Sequence, residues 1–291
     1  MTMAETYNQT GYTEGYPPGI ERHFWNIARN DLVYRWLQPR LKQGELVMDV
    51  GCGTGIVVSD LKSRGLNIQG VELGPAPITP GLESDIRTDT NLFDLDEALK
   101  HEIRTVLLLD VIEHMQERRE FLQRIHRELP NCHTVLVTVP ARMEIWSEYD
   151  KYWGHHLRFD RPGLGRDIAA GGYTVNKSAY FFHWIYFVSL VLRVFGLAKS
   201  TDFQPIAERG IKAFFHRLLG SLTRLESRLL PGWFPGSSII CLASRSTDSG
   251  PLAAAADTTG MGLGGNVQVR QAGIPFKVAD HVSAYSALAG G

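Results

Sequence analysis

The segment Val47-Met48-Asp49-Val50-Gly51-Cys52-Gly53-Thr54-Gly55 constrains this chain more than any other. An apolar run ends in glycines at alternate positions, and a helical pattern at 56–64 opens directly behind them. Glycines at such a joint let the backbone turn sharply out of a strand. They also leave room for a bulky ligand against main chain that Cβ atoms would obstruct. A strand-turn-helix unit of this kind belongs to an open α/β sheet, whose ligands sit at the carboxyl ends of the strands.

The rest of the pattern alternates in the same way. Strands are expected at 45–50, 67–73, 85–88, 104–109, 134–139, 173–181 and 238–243, several of them near-continuous apolar runs, as buried parallel strands are. Helices are expected at 21–42, 56–64, 118–128 and 162–170, the last stopped by Gly171-Gly172. Pro75, Pro77 and Pro80 exclude an ordinary helix after the second strand, so a loop is placed there. The last two strands lack a helical crossover of the usual length and are expected to close the sheet in antiparallel fashion. The organisation that follows is a helical cap at 1–42, a ligand-binding core at 43–182, an inserted helical hairpin or lid at 183–232, a final core strand at 233–246 and a flexible Gly/Ala/Ser/Thr-rich tail at 247–291.

The spacing at the glycine turn is G-x-G-x-G, not the G-x-G-x-x-G of dinucleotide turns. Asp49 precedes it, and a second acid, Glu72, ends the next strand, where a carboxylate can accept hydrogen bonds from both ribose hydroxyls. With Gly70-Val71-Glu72-Leu73 and Leu108-Leu109-Asp110-Val111-Ile112-Glu113-His114, the turn resembles the motifs of class I S-adenosylmethionine-dependent methyltransferases. The likeness runs through Trp146-Ser147-Glu148-Tyr149-Asp150, Gly154-His155-His156-Leu157-Arg158-Phe159 and Gly236-Ser237-Ser238-Ile239-Ile240, and is to a bacterial branch of type 11/12. The resemblance implies an α/β, Rossmann-like fold: a seven-stranded, mostly parallel sheet with an antiparallel last strand and a helical insertion before it. It implies S-adenosyl-L-methionine held by Asp49, Gly51, Cys52, Gly53, Thr54, Gly55, Glu72 and Asp110, with Asp89 a candidate for the adenine amino group. The third-strand region departs from the pattern by lacking the common L-P-F signature.

Methyl transfer from a sulfonium is an in-line displacement, so the protein must align nucleophile and methyl, exclude water and take a proton from a hydroxyl acceptor. Histidine is the usual base near neutral pH. His114 follows the fourth strand, and His155 and His156 lie in a loop with Tyr149, Trp153 and Arg158, an aromatic and cationic set that suits an acceptor pocket. His23, Trp25 and Arg29 in the N-terminal cap form a second candidate acceptor set. Asp110, Glu113 and His114 also have a D-x-x-E-H spacing. It resembles the metal cluster of ubiquinone-type O-methyltransferases and small-RNA 2′-O-methyltransferases, whose ligands suit magnesium or manganese. Metal-free relatives carry similar residues, and the expectation here is a reaction without metal. The reading is O-methylation of a small-molecule or lipid-linked acceptor. N- or carboxyl-methylation, and a scaffold that binds the cofactor without turnover, stay open beside it.

Charge argues against one class of partner, nucleic acid, though not against a local basic patch. The 30 Lys+Arg balance 31 Asp+Glu, without the basic surplus of a dedicated nucleic-acid binder. Three widely spaced cysteines and a polar start without a secretory pattern point to a cytoplasmic protein. Residues 184–197 are apolar but too short a run to span a bilayer, and 211–230 read as a basic amphipathic helix. The expectation is that this pair caps the sheet and buries its own apolar face. The alternative is a lid or membrane-surface element at 183–230.

Overall fold

The computed structural model describes residues 15–195 and 209–246. The tail expected at 247–291 lies outside the described residues, as do 1–14 and 196–208.

Seven strands form one sheet: β1 (Leu46–Val50), β2 (Ile68–Val71), β3 (Ile86–Arg87), β4 (Ile103–Leu109), β5 (Thr134–Pro140), β6 (Tyr173–Phe181) and β7 (Ser238–Arg245). Their order is β3-β2-β1-β4-β5-β7-β6. The first five are parallel, and β7 runs antiparallel between β5 and β6. β1 and β4 are buried along nearly their whole length, which is why they read as unbroken apolar runs. Register fixes the working edge. Val50 pairs with Val71 on one side and Leu108 on the other, so Gly51, Glu72 and Leu109-Asp110 emerge together at the carboxyl ends.

Helices cover both faces. On one lie α1 (Phe24–Leu37), α2 (Ile56–Ser63) and the start of α7 (His183–Val194), with Trp25, Val33, Leu37, Val58, Leu61, Phe182 and Ile185 in a shared apolar layer. On the other, Phe121, Leu122 and Ile125 of α4 (Arg118–Glu128) pack with Leu164 and Ile168 of α6 (Arg161–Ala170). Two short helices were not expected from the sequence. α3 (Glu97–Glu102) is started by Asp96, whose side chain accepts the Leu99 N–H, and α5 (Glu148–Tyr152) lies inside the aromatic loop.

Helix α8 (Ile211–Leu229) departs from expectation. It packs along α1 through Ala213, His216, Gly220 and Thr223, its buried residues. A Cβ on Gly220 would stand 3.0 Å from Ile27, so glycine permits the close approach. Most of the large apolar side chains of α8 point outward instead of into the protein, Leu219 being partly buried against the core. Among the described residues no helix is long and apolar enough to cross a membrane.

Candidate active site

The glycine turn forms one half of the site. Gly53 and Gly55 both have left-handed backbone, with φ of 55° and 90°. A Cβ on Gly55 would fall on the Ile86 side chain, and one on Gly53 on the Tyr16 hydroxyl. Both positions therefore demand glycine for conformation and for space. The buried Glu72 carboxylate locks the turn: Oε2 accepts the Gly53 N–H at 2.8 Å and Oε1 the Gly74 N–H at 3.2 Å. Cys52 is buried against Gly70, and burial pushes its thiol well up, so it is a packing residue and not a thiolate. The Thr54 carbonyl accepts the Thr79 N–H at 2.9 Å and its hydroxyl at 2.7 Å, which ties the proline loop to the turn.

Charge is concentrated behind the turn. Burial raises Asp49 to about 7, with Arg29 opposing the shift and Glu72 adding to it. Arg29 reaches in from α1 and donates to Asp110 Oδ2 at 3.1 Å, with both groups buried. This places Arg29, expected in an acceptor pocket, among the acids at the cofactor side. Asp110 itself has φ 58°, a strained conformation at the end of β4. Asp89 is exposed in a turn, its N–H donated to the Gly74 carbonyl at 3.2 Å. The small cavity beside Gly51, about 20 Å³, is lined by its neighbours Thr90, Asn91 and Leu92 with Leu73 and Phe121.

The other half is built on the loop after β5. Asp150, fully buried, accepts from His155 Nδ1 at 2.9 Å, from Arg158 Nε at 2.8 Å and from the Ser147 N–H at 2.9 Å. A carboxylate can only accept, so His155 carries its proton on Nδ1 and its lone pair on Nε2. Burial holds the His155 pKa below the ordinary value of 6.5, outweighing the opposite pull of Asp150. His114 lies edge-on to His155 with ring centroids 4.9 Å apart. Glu113 joins them. Ligand atoms of Glu113, His114 and His155 all lie within 4.8 Å of one another, and all three residues are buried. Neither Glu113 carboxyl oxygen has a hydrogen-bond partner among the described residues, and burial together with Asp110 pushes its pKa well up.

The expected residues thus divide. His155, His114, Tyr149, Trp153 and Arg158 gather, with the Tyr149 ring edge-on to Trp153 and His155 at 6.0 and 6.4 Å. His156 is exposed; its backbone N–H donates to the Glu113 carbonyl. His23 caps α1 by accepting the Trp25 N–H and packs on His216 at 4.4 Å. Trp25 is fully buried, its ring 3.9 Å from that of Phe182. Tyr16 and Asp150 were not singled out from sequence. Tyr16 sits on Gly53, while Gly15 beside it approaches Trp153, so this pair of residues bridges the two halves of the site.

Comparison with known proteins gives three findings. The family described as a methyltransferase domain matches residues 24–174, just over half the chain. A ubiquinone biosynthesis O-methyltransferase of Pseudomonas syringae pv. tomato is 29% identical over 106 residues, 34% of this chain and 46% of that protein. One of the same name from Hahella chejuensis is 33% identical over 81 residues, 25% of this chain and 34% of that protein. The chain spans about half the length, or less, of these curated relatives. Among solved structures, the [4+2]-cyclase SpnF is 15% identical with a TM-score of 0.51, covering 85% of this chain and 97% of that one. That likeness shows the shared fold alone.

Proposed function

Because this chain belongs to the methyltransferase-domain family, matched over residues 24–174, we propose that it transfers a methyl group from S-adenosylmethionine to a hydroxyl oxygen of a small-molecule or lipid-linked acceptor. The cofactor supplies an electrophilic methyl on a sulfonium leaving group. The glycine turn 51–55 stands at the carboxyl edge of the sheet where the cofactor is expected, and the Glu72 carboxylate at the end of β2 is the acceptor for the ribose hydroxyls. Arg29, paired with Asp110, and the buried Asp49 lie behind the turn and are the groups offered to the amino-acid end. Tyr149, Trp153 and Arg158 hold the acceptor, and His155 Nε2 takes its proton as the oxygen bonds to the methyl carbon. The carbon–sulfur bond breaks in the same step and leaves a neutral thioether.

The observation that carries the reading is His155 itself: a buried, neutral imidazole with its tautomer fixed by Asp150, packed on His114 at the sheet edge where the glycine turn also emerges. The names of the curated relatives support oxygen as the nucleophile. The experiment is incubation with the cofactor and panels of phenols, catechols, prenylated hydroquinones, amines and carboxylic acids, read by mass spectrometry. Methyl ethers are expected. Products from amines or carboxylic acids alone reject the oxygen reading. Cofactor binding without any product supports the scaffold.

A second reading rests on the Glu113, His114 and His155 cluster. One carboxylate and two imidazoles suit a divalent cation, and a buried carboxylate without hydrogen bonds is costly unless it is protonated or bound to one. In that case Glu113, His114 and His155 would hold the cation, which would supply a Lewis acid for the acceptor hydroxyl, and His155 would be a ligand in place of a base.

A further inference from the structure

Helix α8 has its amphipathic pattern turned inside out. Its buried stripe, Ala213, His216, Gly220 and Thr223, is small or polar, and Leu219 beside it is partly buried against the core. Ile211, Phe214, Phe215, Leu218, Leu222, Leu225 and Leu229 form one continuous stripe on the opposite side, from 41% exposed at Phe215 to 73% at Ile211. Their spacing is that of a single helical face. A surface helix of a water-soluble domain has the reverse arrangement, so this face is built to be covered. Phe187, Val191 and Val194 of α7, Phe195 at its end and Trp233 beyond α8 are exposed too.

Charge identifies the cover. Arg217, Arg224 and Arg228 fall along one flank of the stripe, Arg228 standing 3.8 Å from the Asp31 carboxylate, and Arg209 and Lys212 stand at its amino-terminal end. The single acid of the helix, Glu226, is turned inward, where its carboxylate accepts the His183 and Trp184 N–H groups at the start of α7. A large apolar stripe edged by cations and cleared of outward anions is complementary to a bilayer with anionic headgroups. A second copy of the same face would set like charges against one another.

We propose that the outer face of α8, with the exposed residues of α7, seats this protein on an anionic membrane surface. The helix lies in the plane of the interface, its apolar stripe among the acyl chains and its arginines at the phosphates. The placement reaches the candidate active site, since the Arg193 guanidinium of α7 donates to the Trp146 carbonyl and Tyr186 donates to Glu144 at 3.2 Å, both in the acceptor loop. The contact therefore favours the lipid-linked members of the proposed acceptor range, and this last step alone rests on the proposed function.

The test is flotation of the full chain with vesicles of phosphatidylcholine, alone or with about one-third phosphatidylglycerol. Flotation is read without turnover, so it stands or falls apart from methyl transfer. The protein should rise with the anionic vesicles, stay mostly behind with the neutral ones, and be released by roughly 0.5 M salt. The double variant Leu218→Glu, Leu222→Glu should lose about tenfold or more of the bound fraction, with Tm and cofactor affinity unchanged because both side chains point outward. A native protein that stays in the bottom fraction with both vesicles overturns the proposal. In that event, a dimer that the variant converts to monomer assigns the face to a second copy, and a monomer throughout assigns it to this chain's own residues outside the described range.

Discussion

Asp150→Asn tests how the candidate base is held. The change keeps shape and one carbonyl oxygen but replaces the other oxygen with an NH₂ group and removes the charge. In the native protein three donors converge on Asp150: His155 Nδ1 at 2.9 Å, Arg158 Nε at 2.8 Å and the Ser147 N–H at 2.9 Å. The amide must turn its NH₂ toward at least one of them, and Arg158 loses a buried counter-charge. An unsatisfied buried donor and a broken buried ion pair together cost about 3 kcal/mol. For a domain of this size that is a fall in Tm of roughly 6–12 °C. The catalytic effect is separate. As His155 takes a proton it becomes a cation, and its hydrogen bond to a carboxylate is worth about 1.5–3 kcal/mol, which converts to a loss of roughly 10- to 150-fold in kcat. The sign with pH is also fixed. Burial holds the His155 pKa below 6.5, and the neutral ring is the base, so turnover is lost as pH falls through that value and is level above it. Asp150 raises that pKa, so the variant's acid limb should move to lower pH. The assay is kcat against pH well below the variant's Tm, with cofactor affinity measured alongside. A variant that loses stability yet keeps native kcat and an unmoved acid limb would refute the argument and leave Asp150 as a clamp on the loop.

Glu72→Ala should lose about 1.5–3 kcal/mol of cofactor affinity by calorimetry, as for a charged hydrogen bond; unchanged affinity in a folded variant removes Glu72 from the site. EDTA should leave turnover largely intact; complete loss, restored by magnesium or manganese, makes Glu113, His114 and His155 a ligand set. Gly220→Val should undock α8 from α1, because a Cβ there already meets Ile27 at 3.0 Å and two more methyl groups must also be placed. A drop of about 1–3 kcal/mol in denaturant melts is expected, and native stability would mean that the α1–α8 contact is loose.

The sheet was legible because its signals are local. Apolar runs, the alternate glycines and Gly171-Gly172 mark strand, turn and helix ends without reference to anything distant. Glu72 was legible for the same reason, since register carries the end of β2 to the end of β1. The choice between His155 and His156 was not. They are adjacent in sequence, and only the direction of the loop sends one ring to Asp150 and the other to solvent. Asp89 illustrates the same limit, because a turn at φ 50° leaves it exposed while Thr90, Asn91 and Leu92 line the cavity. Helix periodicity marked α8 as amphipathic but is blind to which stripe faces in. The spacing of Ala213, Gly220 and Thr223, residues small enough for close packing on α1, was the available cue.

Phe181 and Ser238 are cross-strand partners in β6 and β7. Everything between them, α7 and α8 included, leaves and rejoins the sheet at one doorstep. A Cβ on Gly236 would run into the Phe181 backbone, so glycine lets the returning chain press against the departing one. A detour whose ends already touch can change length at little cost, about 0.6 kcal/mol of closure entropy for each doubling. Phe182, Ile185 and the contact of α8 with α1 anchor the excursion, and the length of chain between those anchors is what can change. Its surface is free to diverge, by insertion, deletion or replacement, while the strands that carry the chemistry keep their alignment.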